Sequence, residues 1–143
     1  MSKLIYLLVL ATFAVSAALG GGKPVHPKEF RTGLPFSPGV LADGTLYVSG
    51  QVGSDLKTGA VPEKFEDEVR LCLDNIGLVL KEAGMSFQDA VSVQVYLTDM
   101  ELFQRMNSVY TNYFKQPRPA RTTVGVAKLV GAAKIEITVT ARK

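Results

Sequence analysis

Hydrophobic and polar residues alternate in two segments of the second half of the chain, residues 90–97 and 134–142. In the later segment Glu136 and its polar neighbours alternate with the apolar set Ile135, Ile137, Val139 and Ala141. A period of two is typical of a strand with one buried and one exposed face. A run of β-branched residues that starts at Arg121, directly after Pro119, predicts another strand.

Two other segments repeat their apolar residues every three or four positions, which predicts helices. The first covers residues 62–83, with Pro62 in its first turn and Gly84 as a C-terminal cap. The second covers residues 100–114 and follows Asp99, a residue suited to the N-cap. The buried stripe of the first helix includes Phe65, Val69, Cys72, Ile76 and Ala83.

Turn signals place further strands in the first half of the folded region. Asp43-Gly44, between two short apolar runs, is typical of a tight hairpin. Residues 28–32 are predicted to form a short first strand. The small residues of Ser49-Gly50-Gln51 end the hairpin and allow close approach by a neighbour or a ligand.

A turn near residues 130–132 predicts a C-terminal hairpin that brings a cation and a carboxylate onto one face. Gly125 would then pair with Glu136, and Arg121 would lie on the same face, about 13 Å away between backbones. Such a pair is often only a solvated surface pair with little effect on stability. Alternatively, Arg121 and Glu136 face each other across a space that fits a small acid, which makes both candidate catalytic residues.

The predicted order is strand, hairpin, helix, strand, helix and hairpin. Antiparallel strands mixed with two helices indicate an α+β fold, with one sheet and both helices packed on one face. The other face of the sheet then needs cover, which identical copies often supply. We therefore expect a homo-oligomer with sites between its subunits.

The first eighteen residues differ from the rest. Lys3 is followed by an uncharged apolar run that ends in small residues, the pattern of a signal peptide over residues 1–18. A retained anchor or a buried helix is the alternative. Residues 19–27, with three consecutive glycines, are interpreted as a flexible joint, and residues 28–143 as the folded domain. Cleavage would make the protein secreted or periplasmic, with no stable membrane span.

Composition and charge narrow the classes of function. The 143 residues are 47% apolar and 20% charged, which fits one globular domain. The net charge of +3 comes from scattered basic residues, so a nucleic-acid partner is not indicated. Cys72 is the only cysteine and is expected to be buried and inert. His26 is the only histidine, so no metal site of histidines and cysteines is predicted.

Several ordered blocks of residues resemble a known family. Pro119-Ala120-Arg121-Thr122-Thr123-Val124 and Lys134-Ile135-Glu136-Ile137 resemble the signature of the RidA family, also called YjgF/YER057c/UK114. The similarity runs from about Lys28 to the end of the chain. The other matching blocks are Pro35-Phe36-Ser37, Ser49-Gly50-Gln51, Leu73-Asp74-Asn75 and Val95-Tyr96-Leu97-Thr98-Asp99, with Asn107 and residues 110–114.

The resemblance implies a chorismate-mutase-like subunit assembled as a homotrimer with three interfacial clefts. It also implies hydrolysis of 2-imino and enamine acids to 2-keto acids and ammonia without a cofactor, as in 2-iminobutanoate/2-iminopropanoate deaminases. Arg121 suits the substrate carboxylate because its fork of donors binds bidentately, and Glu136 suits activation of a water. The implied substrate-binding residues are Phe36, Ser49, Asn107, Arg121 and Thr123.

Two departures from the family pattern keep alternatives open. Phe36 stands where the family often has tyrosine, so a hydroxyl is missing, and Thr123 stands where cysteine is common. A member that binds small carboxylates without catalysis is therefore an alternative, and an endoribonuclease is a further one. For Ser49 and Asn107, local hydrogen bonds in a turn or cap are an equally good explanation.

Overall fold

The computed structural model describes residues 21–143, so the predicted signal peptide lies outside the described residues. Within that range no helix is both long and apolar enough to cross a bilayer. The helices are α1 (Phe65–Glu82) and α2 (Phe103–Tyr113), with short 3₁₀ turns at Phe87–Asp89 and Met100–Leu102. The strands are β1 (Lys23–Val25), β2 (Gly39–Ala42), β3 (Thr45–Val52), β4 (Ala90–Leu97), β5 (Ala120–Gly125) and β6 (Ile135–Arg142).

The strands form one sheet in the order β1-β2-β3-β6-β4-β5. The β4–β5 pair is parallel, and the other neighbours described here are antiparallel. Both helices pack on one face of this sheet, so the predicted α+β class with a single sheet is confirmed. The helices lie where the apolar period predicts them, but α1 begins at Phe65 after the N-cap Lys64, so the placement of Pro62 in its first turn is wrong. Asp99 caps the 3₁₀ turn that precedes α2, by accepting a hydrogen bond from the Glu101 N–H at 2.9 Å.

The first strand lies earlier than predicted. Residues 28–32 form turns and bends, in which the Phe30 N–H donates to the Pro27 carbonyl at 3.0 Å. The chain reverses there because the ring of Phe30 packs into the core, where it is 7% exposed. The first strand is β1, which begins at Lys23. It lies within residues 19–27, which were predicted to be a flexible joint.

The predicted C-terminal hairpin is wrong, because β4 lies between β5 and β6. Arg121 pairs in register with Val93 of β4, and Glu136 pairs with Tyr96 of the same strand. Alternation identifies a strand but not its neighbour. The helix α2 between β4 and β5 supplies the crossover that a parallel pair needs, so β5 returns beside β4 instead of β6.

The predicted placement of Arg121 and Glu136 on one face is also wrong. Arg121 shares the helix-covered face with its register partner Val93, which is fully buried. Glu136 alternates with the buried Ile135 and Ile137 and therefore points to the opposite face. One subunit thus presents the cation and the carboxylate on opposite sides of its sheet.

A buried carboxylate ties α1 to the start of β6. The Glu68 side chain is fully buried, and its Oε1 accepts hydrogen bonds from the backbone N–H groups of Lys134 at 2.5 Å and Ile135 at 3.2 Å. The Lys134 ammonium lies 3.8 Å from Oε2, which has no hydrogen-bond partner among the described residues. These hydrogen bonds fasten the start of β6 to α1. Lys134, the first residue bound, lies two positions before Glu136.

We expect Glu68→Leu to lower the free energy of unfolding by about 3 kcal/mol, because two buried N–H groups lose their acceptor. Glu68→Gln keeps one acceptor oxygen and should cost about 1 kcal/mol or less. Urea unfolding at a fixed protein concentration measures both values. Equal losses in the two variants would mean that these hydrogen bonds do not hold the strand.

Candidate active site

Arg121 is held between two aromatic rings at the start of β5. Its Cζ lies 4.6 Å from the centre of the Tyr110 ring and 5.6 Å from that of Phe103, where a ring face attracts a cation. Its Nη1 donates a hydrogen bond of 2.9 Å to Oδ1 of Asn107. The three partners lie four and three residues apart on one face of α2. The helix therefore fixes the direction of a guanidinium that the strand supplies.

Arg121 lines a hollow of about 330 Å³. The other lining residues are Asn107, Tyr110, Thr111, Arg118 and Pro119. The Tyr110 hydroxyl is buried and has no hydrogen-bond partner within residues 21–143. Burial raises the pKa of Tyr110, while the adjacent Arg121 acts in the opposite direction. The phenol therefore keeps its proton at neutral pH.

Glu136 lies at a different and larger hollow, of about 890 Å³, on the other side of the sheet. Phe36 and Gly50 also line it, together with apolar side chains of the loops before β2 and after β3. The Phe36 ring is 52% exposed, so it forms a wall that faces solvent. A carboxylate beside an apolar wall is a suitable arrangement for positioning a water.

Gly50 makes room for the Glu136 carboxylate. A Cβ atom built on Gly50 would collide with Oε1 of Glu136, and would also lie 2.9 Å from Cδ. The register of β3 and β6 shifts between Val48 and Gln51, a bulge that places Gly50 directly under the carboxylate. The close approach expected at Ser49-Gly50-Gln51 is therefore made by a neighbour of the same chain.

Ser49 acts on the loop that carries Phe36. Its Oγ donates to the Ser37 carbonyl at 2.7 Å, and its backbone N–H donates to the Pro38 carbonyl at 2.9 Å. Ser49 is not among the residues that line either hollow. In one subunit, Ser49 therefore makes local hydrogen bonds within a turn. This was the alternative explanation given for Ser49 from the sequence.

Three polar side chains of α1 hold the frame of the Glu136 hollow. Glu68 bonds the start of β6, and the Cys72 thiol donates to the Gln51 carbonyl at 3.0 Å. Asn75 Nδ2 donates to the carbonyls of Val52 at 3.3 Å and Ser54 at 3.0 Å. The spacing of four and three residues places the three donors and acceptors on one side of the helix, toward the sheet. The role of Glu68 was not predicted from the sequence.

Helix α1 is also tied to the Arg121 side through α2. Arg105 donates from Nε and Nη2 to the two carboxylate oxygens of Glu66, at 2.7 and 3.0 Å. These hydrogen bonds lower the pKa of Glu66 to about 2. The Tyr113 hydroxyl donates to Asp74 at 2.8 Å, and burial together with this bond raises its pKa to about 12. Both halves of the candidate site therefore rest on α1.

The structure brings Arg121 together with Asn107, and it brings Glu136 together with Phe36. The hydroxyl of Thr123 is buried next to β4 on the Arg121 side, without a hydrogen-bond partner among the described residues. The two sets do not meet in a single subunit, because the sheet separates them. The roles of these five residues and of Ser49 stay predictions.

Comparison with known proteins places the chain in a family. The model of the family described as Endoribonuclease L-PSP matches residues 27–143. The chain belongs to this family, which includes the RidA and YjgF proteins. A RutC family protein of Aquifex aeolicus is 39% identical over 76% of this chain and 89% of its own length. The 2-iminobutanoate/2-iminopropanoate deaminase of Homo sapiens is 40% identical over 72% of this chain and 76% of its own.

Solved structures of RidA/YjgF proteins share the fold. The YjgF gene product of E. coli has a TM-score of 0.79 and 30% identity, over 85% of this chain and 98% of its own. TdcF of E. coli with bound serine gives the same TM-score, identity and coverage. RidA from an Antarctic Psychrobacter bacterium has a TM-score of 0.80 and 30% identity, over 85% and 99% of the two chains.

The Cys72 thiol is expected to be unreactive in the folded protein. It is fully buried, and burial raises its pKa well above the ordinary value, with the nearby Glu68 carboxylate acting in the same direction. Because Cys72 is the only cysteine, labelling with iodoacetamide at pH 8 reports on it alone. We expect labelling at least about 100-fold slower than in urea-unfolded protein. Equal rates would contradict the burial.

Proposed function

We propose that this protein hydrolyses 2-imino and enamine acids to 2-keto acids and ammonia. The observation that carries the proposal is the Arg121 guanidinium, which is held by two rings and Asn107 and has no carboxylate within 4.0 Å in residues 21–143. A cation that is fixed and not neutralised is suited to an anionic ligand. Relatives named 2-iminobutanoate/2-iminopropanoate deaminase, about 40% identical, support the reaction.

Arg121 binds the carboxylate that every 2-imino acid carries next to its reactive carbon. A guanidinium offers parallel N–H donors to both oxygens, a geometry that lysine cannot copy. The bound carboxylate then fixes the orientation of the neighbouring C=N bond. The serine bound to the relative TdcF is likewise a small molecule with a carboxylate beside an amine-bearing carbon.

Glu136 accepts a proton from a water, whose oxygen adds to the carbon of the protonated C=N bond. The proton then moves to the nitrogen, and the C–N bond breaks as ammonia leaves. As the C–N bond breaks, the hydroxyl on that carbon gives its proton to Glu136, which passes it to solvent, and the oxygen becomes the carbonyl of the 2-keto acid. One water is consumed and no electrons are exchanged, so the reaction needs no redox cofactor. An enamine acid enters after transfer of a proton to its carbon, which gives the imine.

Because Arg121 and Glu136 lie on opposite faces of one sheet, we propose that each site combines two copies of the chain. The sheet face away from the helices carries exposed apolar side chains, Tyr47 at 54% and Val124 at 41%. A face of this kind needs cover from another surface. In a homotrimer, Arg121, Asn107 and Thr123 of one copy would meet Glu136, Phe36 and the Ser49 loop of the next copy.

Mixed oligomers test this arrangement. Arg121→Ala loses the carboxylate contact and Glu136→Gln loses the base, so each variant alone should hydrolyse an imino acid at least about 100-fold more slowly than the parent. Assemblies co-expressed from equal amounts of both variants contain sites with both native residues, about one quarter of the total by random mixing. We therefore expect about one quarter of the parent's rate, measured as release of the 2-keto acid.

The two variants mixed after separate assembly are the control, because their subunits have not been exchanged. If the co-expressed assemblies are as inactive as the single variants, the site lies within one copy and the arrangement is wrong. If the parent protein binds 2-keto acids tightly but hydrolyses no imino acid, the hydrolase proposal fails. That result would favour the carboxylate-binding alternative, which the missing hydroxyl at Phe36 motivates.

Gly50→Ala is expected to lower kcat at least about tenfold, because the added Cβ displaces the Glu136 carboxylate from its place over the backbone. Gly77→Ala is the matched control. A Cβ there lies 3.4 Å from the Phe87 ring, an ordinary contact, and should leave kcat unchanged. The two variants are compared by steady-state kinetics after their assembly size is checked. Full activity of Gly50→Ala would remove Glu136 from the mechanism.

A further inference from the structure

We propose that the hollow beside Arg121 binds two acidic groups, so that the preferred substrates are 2-imino acids with an acidic side chain. In this assignment Arg121 binds the carboxylate next to the imine, and Arg118 binds the second acidic group. The inference rests on the proposed function, since it names the substrate class of the same site.

Two guanidinium groups line this one hollow. Arg118 lies three residues before Arg121 and shares its lining with Asn107 and Tyr110. In residues 21–143 the ion pairs join Arg70 to Asp67, Arg105 to Glu66 and Lys134 to Glu68, all at other places. Neither arginine of the hollow is therefore neutralised by a carboxylate of the described chain. Two such cations attract a ligand with two negative charges more strongly than one with a single charge.

The orientation of Arg118 leaves its outer donors for a ligand. Its Nε donates to the Phe114 carbonyl at 3.3 Å, which directs the side chain along the end of α2. The terminal N–H₂ groups are the remaining donors, and they have no hydrogen-bond partner among the described residues. Arg121, by contrast, already uses one terminal nitrogen for Asn107. The two arginines thus present separate sets of donors at one hollow.

The buried Tyr110 hydroxyl supplies a third donor. It is 3% exposed and has no hydrogen-bond partner in residues 21–143, and unpaired buried hydroxyls are rare in folded proteins. The hydroxyl retains its proton, so it donates to an anion but cannot repel one by ionising. An acidic group that enters the hollow would satisfy a polar atom that the chain itself leaves unpaired.

The size of the hollow limits the ligand. A volume of about 330 Å³ is at the lower end for small-molecule sites and fits a short diacid. Arg118 is exposed to solvent, so a substrate with a neutral side chain leaves it hydrated at little cost. The preference is therefore a gain for the diacid and not an exclusion of neutral substrates.

Binding of two matched keto acids tests the assignment without requiring catalysis. We use 2-oxoglutarate and 2-oxopentanoate, which have the same five-carbon chain and differ by the second carboxylate. Calorimetry should give a Kd about tenfold lower for the diacid with the parent protein, a difference typical of one added hydrogen-bonded charge contact. The ratio of the Kd of 2-oxopentanoate to that of 2-oxoglutarate should fall as the salt concentration rises, because Arg118 is exposed and its charge is screened.

Arg118→Gln should bring the ratio of the two Kd values close to one, because it removes the second cation. Lys115→Gln is the matched control. It removes one positive charge from the same loop, but Lys115 donates to the Thr111 carbonyl and does not line the hollow. The ratio should stay at the parent's value in that variant. An unchanged ratio in Arg118→Gln, or an equal fall in both variants, would overturn the inference.

Two further results separate the possible failures. If the parent hydrolyses imino acids but binds both keto acids equally, the substrate class is wrong and the proposed function stands. If the parent prefers the diacid but hydrolyses nothing, the proposed function fails and the two-anion site stands.

Inorganic phosphate is the last probe. Displacement of 2-oxoglutarate by an equal concentration of phosphate would show that the hollow recognises charge alone, which contradicts the assignment.

Discussion

Strand β4 lies between β5 and β6, and its hydrogen bonds to both strands determine which way Arg121 and Glu136 point. On one side its register places Arg121 level with Val93, toward the helices. On the other side it places Glu136 level with Tyr96, away from the helices. Because cross-strand neighbours share a face, no change of side-chain rotamer brings the two groups together in one subunit. The proposal that each site combines two copies of the chain rests on this register.

The charges of the fold are distributed in a consistent way. The carboxylate of Glu68 is buried in the core and satisfied by backbone N–H groups, so it serves the structure. The guanidinium groups of Arg118 and Arg121 line one hollow and form no ion pair with a carboxylate of the described chain. They are therefore available to bind an anionic ligand. Arg105, by contrast, is paired with Glu66 and holds the two helices together.

Local patterns in the sequence predicted the elements of the fold well. The period of two located β4 and β6, and the period of 3.6 located both helices. The order of these elements indicated the α+β class, and the family resemblance specified the kind of subunit. The order of the last strands was not predictable from alternation, because a period describes one strand and carries no information about its partner. The same limit explains why Arg121 and Glu136 were placed on one face.

Contacts between distant residues were also beyond the pattern. Glu68 lies on the apolar stripe of α1, four residues before Cys72, and that position was the available signal of its burial. Its partners Lys134 and Ile135 are 66 and 67 positions later in the chain, and they offer backbone groups that no side-chain pattern reveals. Asn107, by contrast, matched the family blocks, and the structure places it at the Arg121 guanidinium, while its role in substrate binding stays a prediction.

Helix α1 touches both halves of the candidate site, and this has a consequence for how the protein can change over evolution. Its inner side holds β3 and β6, while Glu66 and Asp74 connect it to α2 and hence to the partners of Arg121. A shift of α1 would move α2, which contacts Arg121, together with the strands that position Glu136. Inherited changes along α1 can therefore move Arg121 and Glu136 together, without altering either residue.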